Sequence, residues 1–232
     1  MRRLSPLTIA IAVGVIAVAA GGGGVWYMFF RDAGPAPVSL PSASAGSNAS
    51  VAPGAGGLAG TWTVDASASF VGYRVQEQLV GIGANTAVGR TSSVTGSLTA
   101  SGTTISAVEM SADLATLKSD SDQRDGRLRD DGLQTSQFPT ATFKLTAPIE
   151  LGTVPADGQT VSATGTGDLT IHGTTKSVQI PVQAQLQGGT VTVVGSIAIV
   201  FADYGFSGPS SFKVLSVEDH GILEFQLVFE HA

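Results

Sequence analysis

Cysteine is absent from the 232 residues. No disulfide can staple the fold, and no thiolate can serve as nucleophile, metal ligand or point of lipid attachment. Histidine is scarce as well. His172, His220 and His231 are the only three, and none stands at metal-ligand spacing with a carboxylate partner, which argues against a zinc site. Charge is thin: 13% of the residues are charged, and the formal net charge is −6 at neutral pH. From Ala59 onward 9 Lys plus Arg face 17 Asp plus Glu, a net of −8. A domain of that sign repels phosphate backbones, so nucleic-acid binding is excluded. Also missing are a nucleophile elbow, a phosphate-binding loop and a dinucleotide fingerprint; Gly205-Phe206-Ser207-Gly208 is only superficially like the first. No general acid and base stand paired in a defined context. The chain reads as a non-enzyme with no metal and no cofactor.

What the chain does have begins at its N-terminus. Met1-Arg2-Arg3 precedes an uncharged run from Leu4 to Phe30, longer than the roughly 20 residues a helix needs to cross a bilayer. Arginines lie before the run, whereas Arg31 after it is followed at once by Asp32. The positive-inside bias then keeps the N-terminus cytoplasmic and exports the remainder. Residues 1–31 are expected to be a single-pass signal anchor in the cell membrane. A cleaved signal peptide ending at Ala17-Val18-Ala19 is the competing reading, against which the apolar run continues through Val25-Trp26-Tyr27-Met28-Phe29-Phe30. Residues 32–58 are Ala-, Pro-, Ser- and Gly-rich and are expected to be a flexible linker, because such a composition buries too little apolar surface to offset its ordering entropy.

The domain, residues 59–232, is patterned with period two, the mark of strands with one wet and one buried face. Val178, Ile180, Val182, Ala184 and Leu186 alternate with Gln179, Pro181, Gln183, Gln185 and Gln187. The same holds for Val161 to Ile171 and for Leu223, Phe225, Leu227 and Phe229. Further strands are expected over Thr61–Val64, Phe70–Val75, Thr91–Ala100, Thr103–Leu114, Ala141–Leu151 and Thr190–Phe201. The apolar parity slips between Ala107 and Val108, which predicts a β-bulge. Pro181 lacks a ladder donor and predicts a bulge or an unpaired edge. One helix is expected, at about Ser119 to Asp131, with Asp120–Arg124 and Asp125–Arg129 as i,i+4 pairs. The fold class is therefore all-β and antiparallel, a barrel or a sandwich. Small residues on the inward parity, Ala163, Gly165, Gly167, Ala184 and Gly195, leave either a cavity or a sharply curved sheet.

Two motifs add to this. Arg124-Asp125-Gly126-Arg127-Leu128-Arg129 is followed by the aromatic-proline step Phe138-Pro139-Thr140-Ala141-Thr142-Phe143, and downstream comes Gly167-Asp168-Leu169-Thr170-Ile171-His172-Gly173-Thr174-Thr175-Lys176. In this order and at this separation they resemble the YceI family of bacterial lipid-binding proteins, from about Thr61 to the C-terminus. The resemblance implies a lipocalin-like antiparallel β-barrel whose apolar pore holds an isoprenoid lipid, such as a polyprenyl phosphate or a quinone-like molecule. Pore candidates on the inward parity are Ala163, Gly165, Gly167, Leu169, Ile171, Ile180, Val182, Ala184, Ile197, Ile199, Phe225 and Leu227. Arg124, Arg127 and His172 are headgroup candidates; the alternatives are a solvated, salt-bridged helix face and a water-exposed turn histidine. Gly132-Leu133 stands where the family usually places two bulky apolar residues, so the plug at one end of the pore is expected to differ. Expected partners are the isoprenoid lipid and, through the N-terminal helix, the membrane; the oligomeric state stays open, a homodimer included. The rival function is a surface structural or adhesion module with a filled core, which the same alternation would produce.

Overall fold

All strand pairings are antiparallel, as short turns between alternating segments dictate. The computed structural model describes residues 35–40, 58–81, 83–208 and 214–232. The run from Leu4 to Phe30 and most of the linker lie outside the described residues. No helix among those described is long and apolar enough to cross a membrane. The strands are β1 (Gly60–Val64), β2 (Phe70–Leu79), β3 (Gly83–Thr91), β4 (Val94–Ser101), β5 (Thr104–Asp113), β6 (Thr140–Leu145), β7 (Ile149–Glu150), β8 (Thr160–Ile171), β9 (Thr174–Gln187), β10 (Thr190–Val200), β11 (Val214–Val217) and β12 (His220–His231). Helix α1 (Asp122–Arg127) lies between β5 and β6.

The hydrogen-bonded order β1–β4–β5–β6–β8–β9–β10–β12 closes on itself through a β1–β12 pairing, giving a barrel of eight staves. At one end β2 leaves this ring. It pairs with the first half of β12 and then, past the start of that strand, with β11, while its other edge carries β3. The three strands β11–β2–β3 thus extend beyond the barrel wall as a flap. We call this the flap end and the opposite one, which holds Leu58 and the C-terminus, the tail end.

Local sequence accounts for the irregularities. Thr99 pairs with Ala107 but Ala100 with Ile105, so Ser106 is the extra residue of a β-bulge, and the inward parity passes from Ile105 to Val108 as the slip in alternation requires. Pro181 keeps register with Thr164 on β8, but pairing of β9 with β10 ends at Val182. The proline therefore sits on an unpaired edge. Strand β3, with its Gly, Ala and Asn residues, lacks an alternating signature and was not expected. The helix is shorter than the expected Ser119–Asp131. Ser121 caps α1 by accepting from Arg124 N, and after Arg127 the chain widens into a π turn, where Leu133 N donates to Leu128 O at 2.7 Å.

One charged group is deeply buried on the outer wall. Glu224 lies on the outward parity of β12 yet is 1% exposed. Its carboxylate accepts from Arg90 Nη2 at 2.7 Å and Arg74 Nε at 3.4 Å. Pro35 and Ala36 lie over the two arginines, and Val38 reaches a shallow groove on the outer face of β8, β9 and β10. Arg74 Nη2 donates to the Pro35 carbonyl at 2.6 Å and Arg90 Nη2 to the Ala36 carbonyl at 3.1 Å, while Val38 and Leu40 are half-buried. Arg90 also stacks on Phe70, 4.2 Å from the ring centroid. This part of the linker is thus a strap on the wall. Glu224→Ala would leave both guanidinium groups without their counter-ion and is expected to cost about 3 kcal/mol in chemical denaturation. The exposed Lys144–Glu109 pair, at 2.8 Å, gives the contrast: Glu109→Ala should cost less than about 1 kcal/mol. Equal, small losses in both variants would show that the Glu224 cluster does not hold the wall together.

Candidate functional site

The barrel interior is not filled. A cavity of about 160 Å³ occupies the tail half and one of about 580 Å³ the flap half; both are walled in part by Val71, Ala141 and Leu223, so they adjoin along the barrel axis. The tail cavity is lined by apolar side chains from β4, β5, β6, β8, β9, β10 and β12, among them Leu98, Val108, Met110, Phe143, Leu145, Val193 and Phe229. Its polar wall residues are Ser111, Thr142 and Gln185. Leu58 and Trp62 pack into the core at that end, with Trp62 Nε1 donating to the Leu58 carbonyl at 3.0 Å.

Most pore candidates stand where parity put them. Ala163, Gly165, Leu169, Ile180, Val182, Ala184, Phe225 and Leu227 wall the tail cavity, and Ile171 and Ile199 the flap cavity. Gly167 and Ile197 wall neither. The glycines divide by what faces them. A Cβ on Gly167 would lie 2.5 Å from the Phe143 ring and 2.4 Å from the Lys144 carbonyl, and one on Gly195 would lie 2.6 Å from the Phe225 ring. These glycines leave room for an aromatic neighbour. Gly165 differs: its nearest neighbours would be 3.9 Å away, so its missing side chain opens the cavity itself.

The flap cavity has a polar side, formed by α1 and the inward face of β2. Glu77, buried, accepts from Arg124 Nη2 at 2.6 Å and from Asn85 Nδ2 at 2.8 Å, and Arg124 also pairs with Asp120. Burial opposes the charge on Arg124, but the hydrogen bonds and charges of Glu77 and Asp120 outweigh it, so its pKa is raised. Arg127, Ser121 and Gln123 wall the same side, and Leu128 and Leu133 of the π turn supply apolar cover. Gly132-Leu133 therefore does form a plug, with Leu133 buried and Gly132 inside the turn. The expected Asp125–Arg129 pair is replaced. Asp125 is buried and accepts from Ser119 N and Oγ, and Arg129 turns to Asp130 at 3.3 Å.

His172 does not reach either cavity. It stands at a positive φ of 51°, its ring 4.3 Å from Phe138 and 5.9 Å from Phe206, with Nε2 3.3 Å from Gln134 Oε1. Gly173 follows with φ 71°, and a Cβ there would meet the Phe138 ring at 2.7 Å. The aromatic-proline step and the His-Gly turn, far apart in sequence, are thus in direct contact. Sequence reasoning missed Glu77, which lies past the expected end of β2 at Val75, and the β11 residues, whose four-residue strand carries no alternation; Tyr73 lies within the expected strand but has no signal of its own as a wall residue. Among the described residues Glu218, Asp219 and His220 form an exposed cluster away from both cavities.

A closed antiparallel barrel with a hollow, apolar axis and one polar mouth defines the class: a hollow, lipocalin-like β-barrel. The chain belongs to the YceI-like family, whose YceI-like domain profile matches residues 62–229. The polyisoprenoid binding domain from Saccharophagus degradans implicated in plant cell wall breakdown shares the fold at 19% identity and a TM-score of 0.60, with 74% of this chain and 98% of that one covered. BcnA of Burkholderia cenocepacia is similar at 25% identity and a TM-score of 0.56, with 71% and 98% covered. Among curated proteins no sequence matches.

Tyr73 yields a test of the polar side. Its hydroxyl is buried and makes no hydrogen bond of good geometry among the described residues; the Ser119 hydroxyl beside it donates to Asp125 Oδ1. Burial pushes the Tyr73 phenol from 10.0 up to about 12. The fold favours the neutral phenol, so its contribution is intact below pH 10 and is lost as pH rises from there towards 12, on the order of 2 kcal/mol in all. Tyr73→Phe should be neutral or stabilising at pH 7 and should flatten the alkaline loss, measured by denaturation across pH 8 to 12. A clear destabilisation at pH 7 would mean that the hydroxyl does have a partner.

Proposed function

We propose that this protein binds an isoprenoid lipid noncovalently along the barrel axis and performs no chemistry on it. The single observation that supports the reading is the hollow apolar interior, where an adhesion or structural module would carry a filled core. The polyisoprenoid binding of the similar Saccharophagus degradans domain points the same way. The apolar run Leu4–Phe30 further supports a single-pass membrane anchor, with the barrel on the extracytoplasmic side. Between the two headgroup types, the state of Arg124 favours the quinone-like one, because Glu77 and Asp120 already match its charge.

Mass spectrometry of organic extracts from the purified full chain tests the reading, and a stoichiometric isoprenoid is the expected result. Ala184→Phe and Gly165→Val should fill the tail cavity and lower the bound isoprenoid several-fold. Gln179→Leu, on the exposed face of β9, should leave it unchanged. An empty wild type, with these enlargements costing roughly 1 to 3 kcal/mol of stability, would favour the filled-core rival. Undiminished lipid in both cavity variants would place the ligand elsewhere. The anchor has its own check: intact-mass measurement of membrane-extracted protein should give the uncut chain, and a mass beginning near Ala20 would overturn it.

A further inference from the structure

Four large apolar side chains are exposed among the described residues: Val80 at 53%, Val154 at 46%, Val200 at 45% and Leu215 at 72%. All but Val154 sit at the flap end. Val80 follows Leu79, the last residue of β2, and Leu79 pairs with Val214 of β11. Register between these strands then jumps from Val214 to Ser216, so Leu215 is a bulged residue turned outward beside the same tip. Leu79, Val80 and Val214 are also walls of the flap cavity. On this side the inward face of β2 carries one charged wall residue, Glu77, whose carboxylate is paired with Arg124, and beyond it the lining runs out to the solvent-facing tip through Leu79, Val80 and Val214 alone.

The strap fixes where the chain leaves the barrel. Arg74 and Arg90 hold Pro35 and Ala36 against the wall, and Arg74 pairs with Ile222, near the start of β12 and hence in the flap half. Only residues 31–34 separate this fixed point from the apolar run ending at Phe30, a reach of at most about 18 Å. Along β2 the distance from Arg74 to the tip at Val80 is about 20 Å. A bilayer entered at Phe30 therefore lies within reach of the tip. The loop carrying Val154 precedes β8 at the tail end, beside Leu151 and Pro155 of the tail cavity.

From these two observations we infer that the flap tip, Val80 with Leu215, is a membrane-docking rim that rests in the bilayer interface and opens the flap cavity to it. The partner is the lipid surface itself, and the isoprenoid chain passes between bilayer and barrel past the apolar side of the flap. The inference rests on the anchored, isoprenoid-binding reading above and adds the surface through which that site is loaded.

The absence of cysteine makes the test direct, because Val80→Cys, Leu215→Cys and Val154→Cys each create a unique labelling site in the full chain. Each variant is labelled with an environment-sensitive fluorophore and reconstituted into phosphatidylcholine/phosphatidylglycerol vesicles containing spin-labelled lipid. Labels at 80 and 215 should be quenched several-fold more than the label at 154. Equal quenching at the three positions, with the chain floating in the vesicle fraction, overturns docking while leaving the anchor intact. A chain that does not float overturns the anchor instead, and vesicles added to that protein still show whether the tip docks. A response at 80 and 215 that needs no vesicles and grows with protein concentration would assign the tip to a second copy and overturn the membrane. Leu215→Asp is the second readout, since Leu215 lies outside the cavity walls: it should slow transfer of bound isoprenoid to acceptor vesicles several-fold without changing the amount bound at equilibrium, and an unchanged rate counts against the rim.

Discussion

Closure of the sheet is the constraint on which everything else depends. Trp62, Thr63 and Val64 of β1 pair with His231, Glu230 and Phe229 of β12, and with those pairs the first and last staves join and the sheet becomes a ring. Once closed, every strand has a definite inside, and a one-residue register error anywhere would turn apolar side chains to water. The interior of an eight-stave barrel can then be filled or hollow according to the side chains aimed at it. Here Ala163, Gly165 and Ala184 face the axis where larger residues would have closed it.

Small inward residues are not equivalent, however, and this is where sequence alone stops. Parity identified Gly165, Gly167 and Gly195 as one class. The difference among them comes from the neighbouring strands: Phe143 leans over Gly167 and Phe225 over Gly195, while the side chains facing Gly165 stand off at 3.9 Å. A rotamer on an adjacent stave decides whether a missing side chain becomes cavity or packing, and no periodicity within one strand carries that information. The long alternating strands β8, β9 and β12, the bulge near Ala107 and the edge at Pro181 were legible because each is written into consecutive residues. Strand β3, the outer half of β2, and β11 were not, since their form depends on pairing with each other beyond the barrel wall.

Polar residues show the same division. The Asp120–Arg124 pair was readable from i,i+4 spacing, but the partner that brings Arg124 to the cavity is Glu77, from a strand 47 residues away in sequence. The helix arginines were weighed as either a solvated face or headgroup ligands, and the structure joins the two descriptions in a single residue. Arg124 is held by an exposed carboxylate on one side and a buried one on the other, so it fixes α1 to β2 while walling the cavity. Likewise the buried Glu224 is explained by Arg74 and Arg90 from two other strands, and by a linker segment whose composition gave no hint of docking.

The residues that made the family recognisable turn out to serve the plug. Phe138 of the aromatic-proline step packs on His172 and leaves room for no side chain at Gly173, so the two motifs form one contact that ties the segment after α1 to the β8–β9 turn. Neither Phe138 nor His172 walls a cavity. The contact is needed because α1 and the π turn would otherwise close the flap cavity with little holding them: α1 is six residues long and carries a glycine at position 126, too short to be stable on its own. Tying the plug at Phe138 on one side and at Glu77 on the other gives it two fixed points, and leaves Leu79, Val80 and Val214, beyond Glu77 toward the flap tip, as the part of the mouth that carries no such tie. Recognition by motif therefore reports how the barrel is stoppered, while what it holds is set by the size and polarity of side chains that no motif contains.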